Sequence, residues 1–245
     1  MVVLTGGARG VTAACALEMA EKYSPVLILI GRSPLPASEP AWAENLHEPA
    51  LLKKAILAGA FKGRTPKPVE IDKEYQKIMA GREIQGHMEQ MKAHGSTVRY
   101  FSADVGNKAE MDAVFKAVRK EFRQITAIVH GAGVIDDKRI VDKQPEPFMR
   151  VMETKVKGLD VLLSLSKTDP LKYFVLFSSI AARTGNQGQC DYAMANEVLN
   201  KTAQKLAAAH PSCKYLSLNW GPWDGGMVDD SLKREFAKKG WPLFP

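Results

Sequence analysis

Short apolar runs alternate along the chain with longer stretches in which apolar and polar residues are mixed. Six runs have the length and residue types of buried strands: Val2–Thr5, Val26–Ile30, Val98–Ala103, Ala127–His130, Tyr173–Phe177 and Tyr215–Asn219. The stretches between them have helical character, most clearly Asp191–Ala209. Strands that alternate with helices predict a parallel sheet covered on both faces, so we expect an α/β fold.

A glycine-rich turn separates the first strand from the first helix. Its residues are Thr5, Gly6, Gly7, Arg9, Gly10 and Val11. Backbone N–H groups at a helix start in this arrangement bind a pyrophosphate. A glycine-rich loop alone is weak evidence. Its position directly after a strand, with a second strand after the helix, predicts a Rossmann-type doubly wound parallel sheet that binds a dinucleotide.

An insertion interrupts this plan after the second strand. About fifty residues, 34–82, precede a helix near Glu83–His94, where a compact crossover needs only a few loop residues. The insertion begins rich in proline and then has helix-like stretches at Ala50–Ala60 and Lys73–Ala80. We interpret it as a surface excursion with short helices. It either packs against a neighbouring domain or is simply a tolerated loop.

Composition limits the remaining possibilities. With 245 residues, 45% apolar and 25% charged, the chain can bury one core, so we expect a single domain over residues 1–245. Cys15, Cys190 and Cys213 are too few and too widely spaced for a disulfide framework or a zinc site, which favours the reducing cytoplasm. The histidines show no ligand spacing, so no metal site is expected. No signal peptide or membrane-spanning run is predicted.

The net charge of +7 calls for a comparison with nucleic-acid-binding proteins. The basic residues are dispersed, and the aromatic residues near them fall at core or loop positions. A nucleic-acid interface would combine clustered basic and aromatic residues along one stripe. The sequence therefore argues against a nucleic-acid partner.

Four residues suggest chemistry at the carboxyl end of the fifth predicted strand. Ser179 lies just past that strand, where open α/β sheets place their ligands. Tyr192 and Asn196 are four residues apart on the following helix and so share a face. A phenol can protonate a carbonyl oxygen, and a nearby cation stabilises the phenolate that remains. Lys155 can supply that charge.

These residues resemble the active site of the short-chain dehydrogenase/reductase superfamily. There a serine lies thirteen residues before the tyrosine, as here, but a lysine usually occupies the position of Asn196. In the ketoreductase domains of modular polyketide synthases and polyunsaturated fatty acid synthases, the lysine comes from the preceding helix, in a Lys-Val-x-Gly context. This chain has Lys155-Val156-Lys157-Gly158, with lysine and asparagine exchanged together. It is therefore similar to a synthase ketoreductase.

The resemblance implies a reaction and a role for each of the four residues. The reaction is NADPH-dependent reduction of a 3-ketoacyl thioester, carried by an acyl carrier protein, to the D-3-hydroxyacyl thioester. Ser179 and Tyr192 bind the ketone oxygen, Lys155 lowers the pKa of the phenol, and Asn196 orients Lys155 or an ordered water. The host would be a multifunctional synthase whose other domains lie beside this one.

Three alternatives stay open at this point. A stand-alone NADP-dependent alcohol dehydrogenase would share the cofactor site, but the lysine/asparagine exchange is unusual for one. A catalytically silent cofactor-binding module normally lacks at least one of the four site residues, and all four are present here. A sugar-nucleotide epimerase would keep lysine four residues after the tyrosine.

The end of the second strand favours NADPH over NADH. A carboxylate there would bind the adenosine ribose and repel a 2′-phosphate, but this chain has Gly31, Arg32 and Ser33. Arg9 adds a second cation where NADP-using relatives often have one. Either arginine is alternatively a solvated surface charge.

Further cofactor contacts are implied by the resemblance. They are Asp104 and Val105 at the adenine, His130, Gly131, Ala132 and Gly133 along the nicotinamide, and Pro222 and Trp223 at its carboxamide. The turn departs from the superfamily pattern in one place, because Thr12 stands where its last glycine normally stands.

Two markers imply the D-configured product. Such reductases resemble one another in a Leu-Asp-Asp motif, matched here by Ile135, Asp136 and Asp137, and the opposite type has a tryptophan at the position of Thr184. Asp137 is thus a candidate substrate contact, although a solvated loop pair is the plainer interpretation of the two aspartates.

The C-terminal region, 224–245, is expected to form a lid over the substrate, shortened at its end. Gly225 and Gly226 would hinge it, and Met227 would contact the pantetheine arm or acyl chain, or simply pack under the lid. Lys233, Arg234, Lys238 and Lys239 would attract the acidic carrier protein.

Overall fold

A six-stranded parallel sheet forms the centre of the computed structural model, which describes residues 1–35, 38–223, 233–234, 237–238, 240 and 242–243. The strands are β1 Val2–Thr5, β2 Val26–Gly31, β3 Thr97–Ser102, β4 Ala127–His130, β5 Tyr173–Ser179 and β6 Lys214–Trp220. Every predicted strand is present, with its ends moved by two residues at most. The strand order β3-β2-β1-β4-β5-β6 is that of a doubly wound Rossmann-type sheet and confirms the predicted fold class.

Helices cover both faces of this sheet. In the ranges that the structure describes they are α1 Gly10–Tyr23, α2 Pro49–Gly59, α3 Pro68–Ala93, α4 Lys108–Phe122, α5 Pro145–Met152, α6 Gly158–Leu165, α7 Ala181–Thr184 and α8 Cys190–Ala209. A 3₁₀ turn spans Ile140–Asp142, and a π-helical segment, Glu153–Lys157, joins α5 to α6. None of the described helices is both long and apolar enough to cross a membrane.

The central strands are apolar without alternation because both of their faces are buried. In β2, Ile28 and Ile30 pack in one core with Phe115 and Phe174, whereas Leu27 and Leu29 pack in the other. All four β2 side chains are 0–1% exposed. This is the pattern of a parallel strand covered by helices on each side.

The direction of the chain across the sheet reverses at β1. The strand β2 pairs with one edge of β1, and β4 pairs with the other. Connections that leave β1 and β4 toward opposite faces open a crevice at the carboxyl ends of these strands. The glycine-rich turn after β1 and the segment after β4 meet there, since the Cβ of any larger residue at Gly6 would lie 3.0 Å from the Ala132 nitrogen.

The insertion differs from the prediction in its second half. The helix-like stretch near residue 50 is α2, but α3 runs without a break from Pro68 to Ala93, so the boundary placed at residue 82 falls inside one helix. The separate short helix expected at Lys73–Ala80 is therefore wrong. The reason is packing, because Ile78 continues a small core formed with Leu52 and Ile56 of α2, while Ile84 and Met91 reach the main sheet.

One side chain fastens the insertion to the crossover helix. Arg82 on α3 pairs with Glu39 and donates to the carbonyls of Ala43, at 2.9 Å, and Leu46, at 2.7 Å. Its side chain is 18% exposed and that of Glu39 is 23% exposed, so the pair is shielded from much of the solvent. The segment after β2 is thus attached directly to the turn of α3 that faces the crevice.

The exceptional threonine of the glycine-rich turn is accommodated by a glycine that follows β4. Thr12 is 4% exposed, and a Cβ built on Gly131 would lie 2.2 Å from its hydroxyl oxygen. The Thr12 side chain therefore fills the space left by the missing side chain of Gly131, and α1 keeps its close approach to the sheet.

Gly131→Ala is expected to destabilise the protein by about 1–3 kcal/mol, because overpacking at this contact forces α1 away from the sheet. Thr12→Ala in the same chain should recover most of the loss. Urea unfolding of wild type, both single variants and the double variant measures the coupling. Additive effects of the two substitutions would contradict the assignment.

Candidate active site

A cleft of about 530 Å³ lies along the carboxyl ends of the strands. It extends from the end of β2, past the start of α1, to the ends of β4 and β5 and the first turn of α8. Most of the predicted site residues line it: Thr5, Gly6, Arg9, Gly10, Val11, Gly31, Arg32, Ser33, Asp104, Val105, Gly131, Ala132, Gly133, Lys155, Ser179, Tyr192, Pro222 and Trp223. The topology therefore assembles residues that are far apart in the sequence into one elongated site.

Tyr192 stands at one end of the cleft, in the first turn of α8. Its side chain is 9% exposed, and burial raises the pKa of the phenol above its ordinary value. Interactions with the side chains of Asn196 and Ser179 lower the pKa in part. Ser179 is the last residue of β5, and its hydroxyl accepts a hydrogen bond of 3.2 Å from the Ala181 N–H. The structure thus brings the Ser179 hydroxyl and the Tyr192 phenol together in the wall of the cleft.

Lys155 reaches the same point from the π-helical segment. A π segment adds a residue to a helical turn and is often found at functional sites, since it redirects one side chain out of the regular helix surface. The Lys155 side chain is buried, its ammonium donates to the Phe177 carbonyl at 2.8 Å, and it lies 5.7 Å from the centre of the Tyr192 ring. Burial lowers the pKa of the amine to about 8. The structure therefore puts a titratable cation beside the phenol.

Asn196 is 0% exposed and lies one helical turn after Tyr192. Its side-chain nitrogen donates to the Tyr192 carbonyl at 2.8 Å, while its Oδ1 has no hydrogen-bond partner among the described residues. A buried acceptor without a partner is costly unless a water or a ligand supplies a donor. Asn196 is therefore suited to hold such a donor behind the phenol.

His130 and Gly7 lie behind the cleft rather than in its wall. The His130 ring is 0% exposed, and its nitrogens contact the Thr5 hydroxyl at 2.8 Å and the Lys155 carbonyl at 2.9 Å. A Cβ on Gly7 would lie 2.5 Å from that of Leu4, so this residue serves the turn of the chain. The side chain of His130 therefore makes its hydrogen bonds within the protein, while Gly131, Ala132 and Gly133 of the same segment line the cleft.

A carboxylate that the sequence did not reveal occupies the start of α1. Glu83 of α3 accepts from the Arg9 guanidinium at 2.6 Å and from the Gly10 N–H at 3.3 Å. Both predicted anion-binding groups are thereby engaged with an anion of the protein itself. Glu83 is 73 residues from Gly10 in the sequence, so no local pattern could have indicated this contact.

The predicted substrate loop is tied to the start of α8. Asp137 accepts from the Gln189 side chain at 2.8 Å. Lys143 donates to the Asp136 carbonyl at 2.6 Å and forms a buried ion pair of 2.7 Å with Asp191. The sequence did not single out Gln189, Lys143 or Asp191. Together these contacts fix the loop next to Tyr192, and the charge of Asp137 contributes to the raised pKa of the phenol.

Two tryptophans at and just after the end of β6 line the cleft on the side of Ser179. The rings of Trp220 and Trp223 meet edge to face, with their centres 5.2 Å apart. Met227, the proposed hinge glycines and Lys239 lie outside the described residues. The contacts predicted for them therefore stay predictions.

Comparisons with known proteins identify what this arrangement is similar to. A family model described as KR domain matches residues 1–225. A polyunsaturated fatty acid synthase polypeptide of Thraustochytrium sp. is 40% identical over 256 residues, which cover 100% of this chain and 9% of that protein. Polyketide synthase PksN of Bacillus subtilis is 31% identical over 243 residues, which cover 96% of this chain and 4% of that protein. The chain thus spans less than a tenth of the length of either relative.

The fold comparison agrees. The crystal structure of a ketoreductase domain from the bacillaene assembly line matches with a TM-score of 0.74 and 26% identity. The match covers 100% of this chain and 50% of that one.

Proposed function

The chain belongs to the KR domain family, the ketoreductases of polyketide and polyunsaturated fatty acid synthases, and from this we propose that it uses NADPH to reduce a 3-ketoacyl thioester to the D-3-hydroxyacyl product. The observation that supports this most strongly is the Lys155 ammonium beside the Tyr192 ring, with Ser179 at the end of the adjoining strand. These groups can bind and protonate a carbonyl oxygen at one point of the cleft.

Tyr192 is the proton donor in this proposal. Its burial keeps the phenol protonated at neutral pH, so a proton is available when negative charge develops on the ketone oxygen. Ser179 donates a second hydrogen bond to the same oxygen and orients it. Both side chains line the cleft, whose walls limit the access of water.

Lys155 stabilises the phenolate that Tyr192 becomes. Its amine lies in a low-dielectric site, where a cation 5.7 Å from the ring lowers the energy of the phenolate more than it would in water. Asn196 supports this arrangement by offering its Oδ1 to the Lys155 ammonium or to a water that returns a proton to the phenol.

A dinucleotide fits the remaining length of the cleft. Gly10 and Val11 at the start of α1 line it, where the N-terminus of a helix favours a pyrophosphate. Glycines at positions 6 and 131 let the turn after β1 and the segment after β4 pack closely beside it. Asp104 and Val105 would hold the adenine, and Pro222 and Trp223 would border the carboxamide. When bound, the dihydronicotinamide supplies the hydride for the reduction.

NADPH is proposed as the cofactor because a cation, rather than a carboxylate, follows β2. Arg32 and Ser33 line the cleft at this point, and Arg9 stands at the start of α1. A guanidinium recognises a 2′-phosphate through charge-assisted hydrogen bonds. Glu83 opposes this effect, since it already pairs with Arg9.

The D-configured product and the carrier-bound substrate are the finer parts of the proposal. The loop that contains Asp137 lies against the start of α8 and so can orient the substrate relative to Tyr192. The exposed Lys238, together with Lys233 and Arg234, would attract an acidic acyl carrier protein. The neighbouring domains of such a synthase would supply that carrier.

Tyr192→Phe is expected to lower the rate of NADPH oxidation with a 3-ketoacyl thioester by about 10²–10⁴-fold, because the proton donor is lost. NADPH affinity, measured by fluorescence titration, should change by less than about twofold, since the phenol's role is in the chemical step. Tyr173→Phe, at an exposed tyrosine of β5, is the matched control and should retain full activity.

Chiral analysis of the wild-type product completes this experiment, with the substrate offered both as a small thioester and on the carrier protein. An L-product would reject the stereochemical part of the proposal. Near-wild-type turnover of Tyr192→Phe would reject the catalytic assignment.

Glu83→Gln is expected to strengthen NADPH binding by about 3–10-fold, because it releases Arg9 for the 2′-phosphate; such a charge contact is worth about 1 kcal/mol at a partly exposed site. NADH binding should change less. Glu89→Gln removes the same charge from an exposed position of the same helix and serves as the control. Equal effects of the two substitutions on the NADPH dissociation constant would show that only net charge matters.

A further inference from the structure

The buried ring of His130 connects the glycine-rich turn to the segment that contains Lys155. His130 is the last residue of β4, between Thr5 of β1 and the π segment. Burial, with a smaller contribution from the Lys155 charge, lowers the pKa of the imidazole to about 4. The ring is therefore neutral at physiological pH, and each of its nitrogens has a fixed role.

The partners of the ring determine these roles. A backbone carbonyl can only accept a hydrogen bond, so the nitrogen that contacts the Lys155 carbonyl, Nε2, has the proton. Nδ1 must then accept from the Thr5 hydroxyl, 2.8 Å away. The Thr5 oxygen in turn accepts from the Ala132 N–H at 3.3 Å. One continuous chain of donors and acceptors thus runs from the cleft wall to the backbone of Lys155.

A glycine permits the ring to approach the π segment. A Cβ on Gly158 would lie 3.1 Å from Cε1 of His130 and 2.9 Å from the Val105 side chain. The Lys155 carbonyl also accepts from the Gly158 N–H, so His130 and Gly158 share one acceptor in the segment. The glycine of the Lys-Val-x-Gly motif is thereby explained by the space that the Val105 side chain and the imidazole need.

We propose that His130 is a positioning residue that fixes the π segment and so sets the place of the Lys155 ammonium relative to Tyr192. This inference rests on the proposed reductase function, because it concerns the lysine of that site. The ring touches neither the cleft nor the reacting groups, since its side chain is fully buried and acts on Lys155 through the backbone carbonyl. Its connection to Thr5 makes the glycine-rich turn and the lysine one rigid unit.

Two substitutions separate positioning from simple core packing. His130→Gln places an amide donor near the position of Nε2 and keeps the bond to the Lys155 carbonyl. His130→Asn is shorter, reaches only the position of Nδ1 and loses that bond. We expect kcat within about threefold of wild type for the Gln variant and about 10–100-fold lower for the Asn variant, the range found for groups that orient active-site residues. KM for NADPH should stay within about twofold for both.

The result that overturns the proposal is an equal kcat for the two variants, or a wild-type kcat for His130→Asn. Circular dichroism and thermal unfolding establish that each variant is folded. In the unsubstituted protein, ¹⁵N NMR of His130 at pH 7 should show the neutral tautomer protonated at Nε2. A proton on Nδ1, or a charged ring, would also overturn it, whether or not a variant folds.

A separate measurement distinguishes failure of this inference from failure of the proposed function. Absence of turnover by wild type with any ketoacyl thioester would reject the function and remove kcat as a readout. The chemical shift of the Lys155 side chain, measured by NMR in wild type and in both variants, then tests the inference without turnover. It should differ from wild type in His130→Asn and be unchanged in His130→Gln. The opposite pattern, or no difference, contradicts positioning.

Discussion

The burial of the Lys155 ammonium is the constraint around which the candidate active site is built. A cation taken out of water is unfavourable unless nearby dipoles or charges compensate for the lost hydration. Here the Phe177 carbonyl accepts from it at 2.8 Å, and the Tyr192 ring lies at 5.7 Å. The same burial raises the pKa of Tyr192 and lowers that of Lys155, so each isolated charge is disfavoured. Charge on both together is favoured, and this is the state that the proposed proton transfer from the phenol would produce.

The surrounding elements serve this arrangement. The end of β5 provides the Phe177 carbonyl and Ser179, the π segment turns Lys155 inward, and α8 begins with Tyr192 in its first turn. These three elements converge because the doubly wound sheet places the ends of its central strands at one edge. The topology thus determines where the site lies, and the π segment determines which side chain enters it.

Much of the fold follows from local sequence patterns, and these patterns together with the family resemblance indicated the candidate site residues. The strands were predictable because a parallel strand buried on both faces is a continuous apolar run, and Tyr192 and Asn196 because residues four apart share a helix face. The continuous helix α3 was not predictable, since its two halves pack against different cores and no residue in the sequence marks that change. The contacts of Glu83 with Gly10 and of Thr12 with Gly131 were not predictable either, because both join residues that meet only in the folded chain.

The most direct test of this account is the pKa of the Lys155 amine in the folded protein. Titration of lysines labelled with ¹³C at Cε, with the signal identified by its loss in Lys155→Arg, measures this pKa without any assay of turnover. The account predicts a midpoint of about 8, well below the ordinary lysine value of 10.5. A midpoint near 10.5 would mean that the amine is solvated in the native state, and would contradict the buried cation on which the proposed site depends.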